Sequence, residues 1–173
     1  AGEVLSKHYG LNPAQYQAFA GHLDVADYYI GKGVKLQTEG FHFQHWMLRK
    51  DKKRLLDSRL RQFLTRHRVS VDERDEHGTP LLHAAIGFRD ATLVSELLDR
   101  GASPDIKDRF GNTPLHVAVA SRNSALAKLV LAQSNLNSRN SNGRTPLHEA
   151  LALADWDMAK ALIENGARGD VRD

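Results

Sequence analysis

Three histidines recur in one local setting: Gly78-Thr-Pro-Leu-Leu-His83-Ala-Ala85, Gly111-Asn-Thr-Pro-Leu-His116-Val-Ala118 and Gly143-Arg-Thr-Pro-Leu-His148-Glu-Ala150. Imidazole can act as a general base or bind a metal, so each is a chemical candidate by type. His42 and His45, three apart, could share a helix face and bind zinc with His8 or His22 as a remote partner. Two histidines without a third ligand in reach of the pattern make no zinc site, and a place at the rim of a repeat accounts for them. Asp155 and Asp157 flank Trp156 and could form an acid/base pair by type, but a solvated turn is much the better reading. Gly31-Lys-Gly33 is too short to cradle a phosphate and reads as a helix end. There is no Gly-x-Ser-x-Gly, no Walker loop and no dinucleotide glycine fingerprint. The chemistry therefore points away from catalysis, with no cofactor or metal expected.

Composition narrows the class further. The 173 residues contain no cysteine, which excludes a disulfide scaffold, a Cys-based zinc site and a thiol nucleophile. A hydrophobic content of 41% supports a folded core. The expectation is a protein of the cytoplasm or nucleus. Lys and Arg total 24 against 21 Asp and Glu, but the balance is uneven along the chain. Nine basic residues fall between Arg49 and Arg68, opposed only by Asp51 and Asp57. Residues 75–173 carry eleven basic and thirteen acidic groups.

The elements that position these residues are set by repetition. The motif glycines and histidines lie 33 and 32 residues apart, and Gly101-Ala102 and Gly166-Ala167 each follow their histidine by eighteen residues. Thr113 and Thr145 can cap orphan amides, and Pro114 and Pro146 suit a first helical turn. Leu93, Val94, Leu97 and Leu98, then Leu126, Leu129, Val130 and Leu131, have the spacing of an amphipathic second helix. Over residues 75–173 the pattern resembles the ankyrin repeat. The resemblance implies a hairpin loop, an inner helix, a tight turn and an outer helix ending at Gly-Ala. It also implies that the histidines tie adjacent hairpins together by hydrogen bonds, without catalysis.

The expected fold is an all-α solenoid of about five repeats joined by β-hairpin-like loops, in a single domain over 1–173. Three repeats are clear, at 75–107, 108–139 and 140–173. Residues 7–39 form a degenerate copy, with Gln15 in the histidine slot and Gln17 in an alanine slot. Residues 40–74 match only in part: Leu55, Leu56, Leu60, Phe63 and Leu64 outline an outer helix, whereas the inner one, about 45–53, is far more charged than the pattern. Two further departures stand out. Thr79-Pro80 sits one place early against His83, and Gln133-Ser134 replaces Gly-Ala, so that helix end is expected to fray or bend. The chain ends at Asp173, where Asp75, Asp108 and Asn140 each open a hairpin, so a piece of a longer protein, or a last repeat docked on something else, is expected.

The repeat geometry implied by the family assigns the surface candidates. Phe88 and Arg89, Ser121 and Arg122, and Leu153 and Asp155 fall near the ends of inner helices and face a concave groove. Arg109 and Phe110 sit at a hairpin tip, and Phe and Arg are the types that anchor interfaces. The function implied is recognition of another protein by a module monomeric on its own. An alternative is the docking or regulatory arm of a larger enzyme, such as a bacterial effector acting in a host cell, in which case its compartment is the host cytosol. A third reading uses the basic cluster (Arg49, Lys50, Lys52, Lys53, Arg54, Arg59, Arg61) against an acidic partner, nucleic acid or anionic membrane. Its plain counterpart is a solvated helix face whose Arg stems pack on the neighbouring repeat.

Overall fold

Short helices joined by tight left-handed turns make up the computed structural model, which describes residues 11–36 and 58–169. The chain divides into two compact units, 1–76 and 77–173.

In the first unit, α1 (Pro13–Ala20) and α2 (Leu23–Gly31) form an antiparallel pair, and α3 (Ser58–Arg66) follows. The α1 start is a reciprocal cap: Gln15 N–H donates to Asn12 Oδ1, and Asn12 N–H donates to Gln15 Oε1, each at 2.9 Å. Gln15 is fully buried and its amide also donates to the Leu36 carbonyl, so glutamine does both jobs expected of the histidine it replaces. Leu60, Phe63 and Leu64 are buried on one face of α3, as their spacing predicts. Its end closes with Val69 N–H donating to Leu64 O at 2.9 Å through Arg68, whose φ is +53°. The same closure ends α2 at Gly33, where Val34 N–H donates to Tyr29 O at 3.1 Å. Asp27 on α2 accepts from both Arg66 and His67 at the α3 end.

In the second unit, inner helices α4 (Leu81–Gly87), α6 (Pro114–Ala120) and α8 (Pro146–Ala152) alternate with outer helices α5 (Ala91–Asp99), α7 (Ser124–Leu131) and α9 (Trp156–Glu164). At seven to nine residues, none is long enough to be stable alone in water. Stability comes from stacking: α4 packs on α6, α6 on α8, and α5 on α7. Ala85, Ala118 and Ala150 are fully buried, and their small side chains let the inner helices approach closely. Leu93, Val94 and Leu97 fill the outer layer, followed by Leu126, Ala127 and Val130, then Met158, Ala159 and Leu162.

The two departures have local consequences. With proline one place early, Pro80 itself takes the N-cap position of α4, and no side chain caps the helix. At Gln133-Ser134 the left-handed closure is missing. Gln133 N–H reaches Val130 O at 3.2 Å, and the Ser134 hydroxyl donates to Val130 O at 2.7 Å. In the glycine turn after α5, Ala102 N–H reaches back to Leu97 O at 2.9 Å; here Ser134 N–H stops at Leu131 O at 3.3 Å, and its hydroxyl adds a second bond to Val130 O, so the helix ends in a different turn.

Candidate partner-binding groove

The hairpin fingers are built from acceptor side chains at their bases. Asp108 Oδ1 accepts from the N–H groups of Phe110 and Asn112, both at 2.8 Å. Asn140 Oδ1 takes the matching pair, from Asn142 at 3.0 Å and Arg144 at 3.1 Å. Each finger is closed by backbone bonds, Asp108 N–H to Asn112 O and Asn140 N–H to Arg144 O, both at 2.9 Å. The two fingers are then laced together. Ser141 N–H donates to Phe110 O at 2.9 Å, and the Asn140 amide donates to Asn112 Oδ1 at 3.0 Å. Gly111, at φ +73°, allows this contact: a Cβ there would lie 2.8 Å from Ser141 N.

The motif histidines fasten fingers to inner helices. His83 Nε2 bonds Asn112 O at 2.8 Å, and His116 Nε2 bonds Arg144 O at 2.9 Å. A carbonyl only accepts, so Nε2 carries the proton. The other ring nitrogen of His116 accepts from Thr113 N–H at 3.2 Å and contacts its hydroxyl at 2.8 Å, closing a Thr–His capping box. Thr145 and His148 repeat the box. Burial holds the His116 pKa below its ordinary value of 6.5, with the Arg144 carbonyl and the Glu149 and Asp108 carboxylates opposing that shift. The neutral imidazole is thus the structural form, in keeping with the tying role that the resemblance implies.

The predicted surface residues divide by what they touch. Phe110 at the finger tip is 57% exposed, and the Arg109 guanidinium stacks on its ring at 4.7 Å from the centroid. Phe88, also 57% exposed, ends α4. Arg89 and Arg122 are exposed, but each is committed to the stack. Arg89 donates to Ser121 O at 3.2 Å and Arg122 to Leu153 O at 2.8 Å, from backbone at φ +55° and +52°. The Ser121 hydroxyl bonds Ala118 O at 2.8 Å, and Asp155 caps α9 through Met158 N–H at 3.1 Å. Leu153 is half-buried. Arg59 is exposed on α3, and Arg61 lies in the same helix. Arg49, Lys50, Lys52, Lys53 and Arg54 lie outside the described residues, as do His8, His42 and His45. Among the described residues, no three His, Asp or Glu side chains cluster closely enough to hold a metal ion.

Sequence reasoning missed the pocket between the fingers and the inner helices. It has a volume of about 330 Å³ and is lined by Phe110, Asn112, His116, Asn140, Asn142 and Glu149, with Val117 and Ala120 completing it. The available signal was Glu149 itself. The residue after the motif histidine is Ala84 or Val117 in the other two repeats, and only here is it charged.

Comparison with known proteins agrees with this geometry. A family model of ankyrin repeats (3 copies) matches residues 81–173. No curated protein matches the sequence. Among solved structures, the chain resembles the crystal structure of the ankyrin repeat domain of Bcl-3, a unique member of the IkappaB protein family. The TM-score is 0.63 at 23% identity, over 95% of this chain and 60% of that one, a likeness of fold. The repeating Thr-Pro-Leu-His helices, the laced fingers and the family match over more than half the sequence place this chain in the ankyrin-repeat family.

Proposed function

We propose that this chain recognises another protein through its concave groove and finger tips, as ankyrin repeats generally do, without catalysis of its own. The observation that carries this reading is Phe110. Its ring is more than half exposed although its backbone is held in a finger fixed by inter-finger and intra-finger hydrogen bonds, donated by Asp108, Phe110, Gly111, Asn112, Ser141 and the Asn140 amide. A large apolar side chain on a rigid support, without a place in the core, costs little entropy to dock. The neighbouring guanidinium orders the ring further. Arg89 and Arg122 contribute mainly by keeping the turns in register, and Phe88 adds a second exposed ring at an inner-helix end.

The test is paired. Peptides or domains selected from a displayed library on the folded chain are titrated against Phe110→Ala, Arg109→Ala and Leu97→Ala, each also measured for thermal stability. The first two should weaken binding with the fold intact. Full affinity in both would place the partner on another face and overturn the groove reading.

A further inference from the structure

The geometry points to a subsite for one basic side chain, arginine or lysine, of an extended partner segment, in the pocket between the 108–112 and 140–144 fingers. This rests on the groove reading and specifies its chemistry. The Glu149 carboxylate is the anchor: its side chain is only 21% exposed and lines the pocket. An ionised carboxylate offers about four acceptor sites. The contacts Glu149 makes are long. Arg144 lies 3.8 Å from Oε2, and the Asn140 amide lies 3.5 Å from Oε1. A charge-assisted bond from an entering guanidinium forms at about 2.7–2.9 Å, so an incoming cation would make a closer contact than any Glu149 now has.

The rest of the lining suits the same guest. Phe110 offers exposed apolar surface at the pocket mouth, along which the aliphatic stem of an Arg or Lys can lie. Asn112, Asn140 and Asn142 supply amide oxygens and nitrogens at the rim. Val117 and Ala120 provide short apolar surface against which an Arg or Lys stem can lie. The cations already nearby are occupied: Lys107 Nζ bonds Arg139 O at 2.8 Å, and Arg109 covers the Phe110 ring. Arg144 is 47% exposed and reaches the carboxylate only at 3.8 Å, beyond hydrogen-bond distance. An acidic guest would meet the Glu149 carboxylate, and an apolar guest would strip water from three asparagines and a glutamate without replacing their hydrogen bonds.

The experiment selects random dodecapeptides displayed on phage against the full 173-residue chain, then measures the selected peptides in solution. The expected result is Arg or Lys at one fixed position. Replacing that Arg by citrulline, its neutral isostere, should weaken binding at least tenfold to the parent protein but little to Glu149→Gln. The peptide-side substitution keeps the test valid should Glu149→Gln disturb the fold. Peptides that lose affinity on Phe110→Ala yet carry no fixed basic residue, or that bind Glu149→Gln as tightly as the parent, overturn the subsite and leave the groove reading standing. Selected peptides indifferent to Phe110→Ala, or a selection that yields none, overturn the groove reading and the subsite with it.

Discussion

Alanine at Gly111 should be far more damaging than alanine at Gly101, although both glycines have positive φ. At Gly101, φ is +85° and an added Cβ meets nothing within 4 Å, so only backbone strain applies. That strain is roughly 1–2 kcal/mol for an L-residue in the left-handed region. At Gly111, φ is +73° and the same strain applies, but the Cβ also falls 2.8 Å from Ser141 N, 2.9 Å from its Oγ and 3.2 Å from Asn140 C. Two of these three atoms are backbone and cannot rotate away. Separating the fingers would stretch the Ser141–Phe110 hydrogen bond, now 2.9 Å. Overpacking of this kind adds about 1–3 kcal/mol, for a total of roughly 2–5 kcal/mol. For a chain of this size, each kcal/mol lowers Tm by roughly 2–4 °C. Urea melts of both variants, followed by circular dichroism, give the comparison, and a constant m-value shows that the same unit is unfolding. Adding Ser141→Ala should recover only part of the Gly111→Ala loss, because the backbone contact remains. Equal losses at Gly111 and Gly101 would refute the close approach of the fingers.

Other outcomes follow from the same geometry. Phe110→Ala and Arg109→Ala should each weaken partner affinity by about 2 kcal/mol, on the order of thirtyfold, with little change in Tm; Leu97→Ala should instead cost roughly 2–5 kcal/mol of stability by opening a cavity. Arg122→Ala removes the bond to Leu153 O but keeps an L-residue at positive φ, so it should destabilise by about 1 kcal/mol, whereas Arg122→Gly relieves the backbone and should be closer to neutral in thermal melts. His116 has a folded pKa below its unfolded value near 6.5. Between the two values the unfolded chain binds the extra proton, so the stability it contributes is complete above pH 6.5 and is lost as pH falls through the folded pKa. Denaturant titrations across pH 7 to 5 should show this, and His116→Gln should reduce the slope while keeping the fold, because Gln15 already caps one helix and ties one loop from the same slot.

Which parts of this were legible in the sequence depends on how local the controlling interaction is. The Thr-Pro-Leu-His start could be read because cap, first turn and capping partner lie within four residues, and each residue type has one dominant use there. The histidine ties required the family resemblance, since the accepting carbonyls of Asn112 and Arg144 lie 29 and 28 residues away. Arg89 and Arg122 looked like groove anchors because exposed arginines so often are. Their guanidinium groups bond the next turn, and nothing in residue type marks a non-glycine at positive φ. Asp155 has a structural role that its type alone does not mark: with Asp90 and Asn123 it belongs to a periodic set of N-caps, accepting at 3.1, 3.2 and 3.1 Å respectively.

The repeat frame also explains why the distinctive chemistry sits where it does. Positions that close the core or cap a helix vary within a narrow chemical range: Asp or Asn at the finger base, His or Gln at the tie, and Thr or Asn at three of the four inner-helix caps, Pro80 of α4 being the departure. The slot after the tying histidine and the finger tip carry no such duty. At the slot after the tying histidine, Ala84 and Val117 are replaced by a carboxylate, and at the finger tip a Phe stands where Asn142 stands in the following repeat. A charge half-buried beside a desolvated imidazole works against stability, and its long contacts to Arg144 and Asn140 do little to offset the cost. Replacing Glu149 with valine, the residue at the equivalent slot one repeat earlier, should therefore raise Tm while abolishing selection for a basic residue in the partner. A fall in Tm would show that Glu149 serves the stack through Arg144, and that its charge is structural.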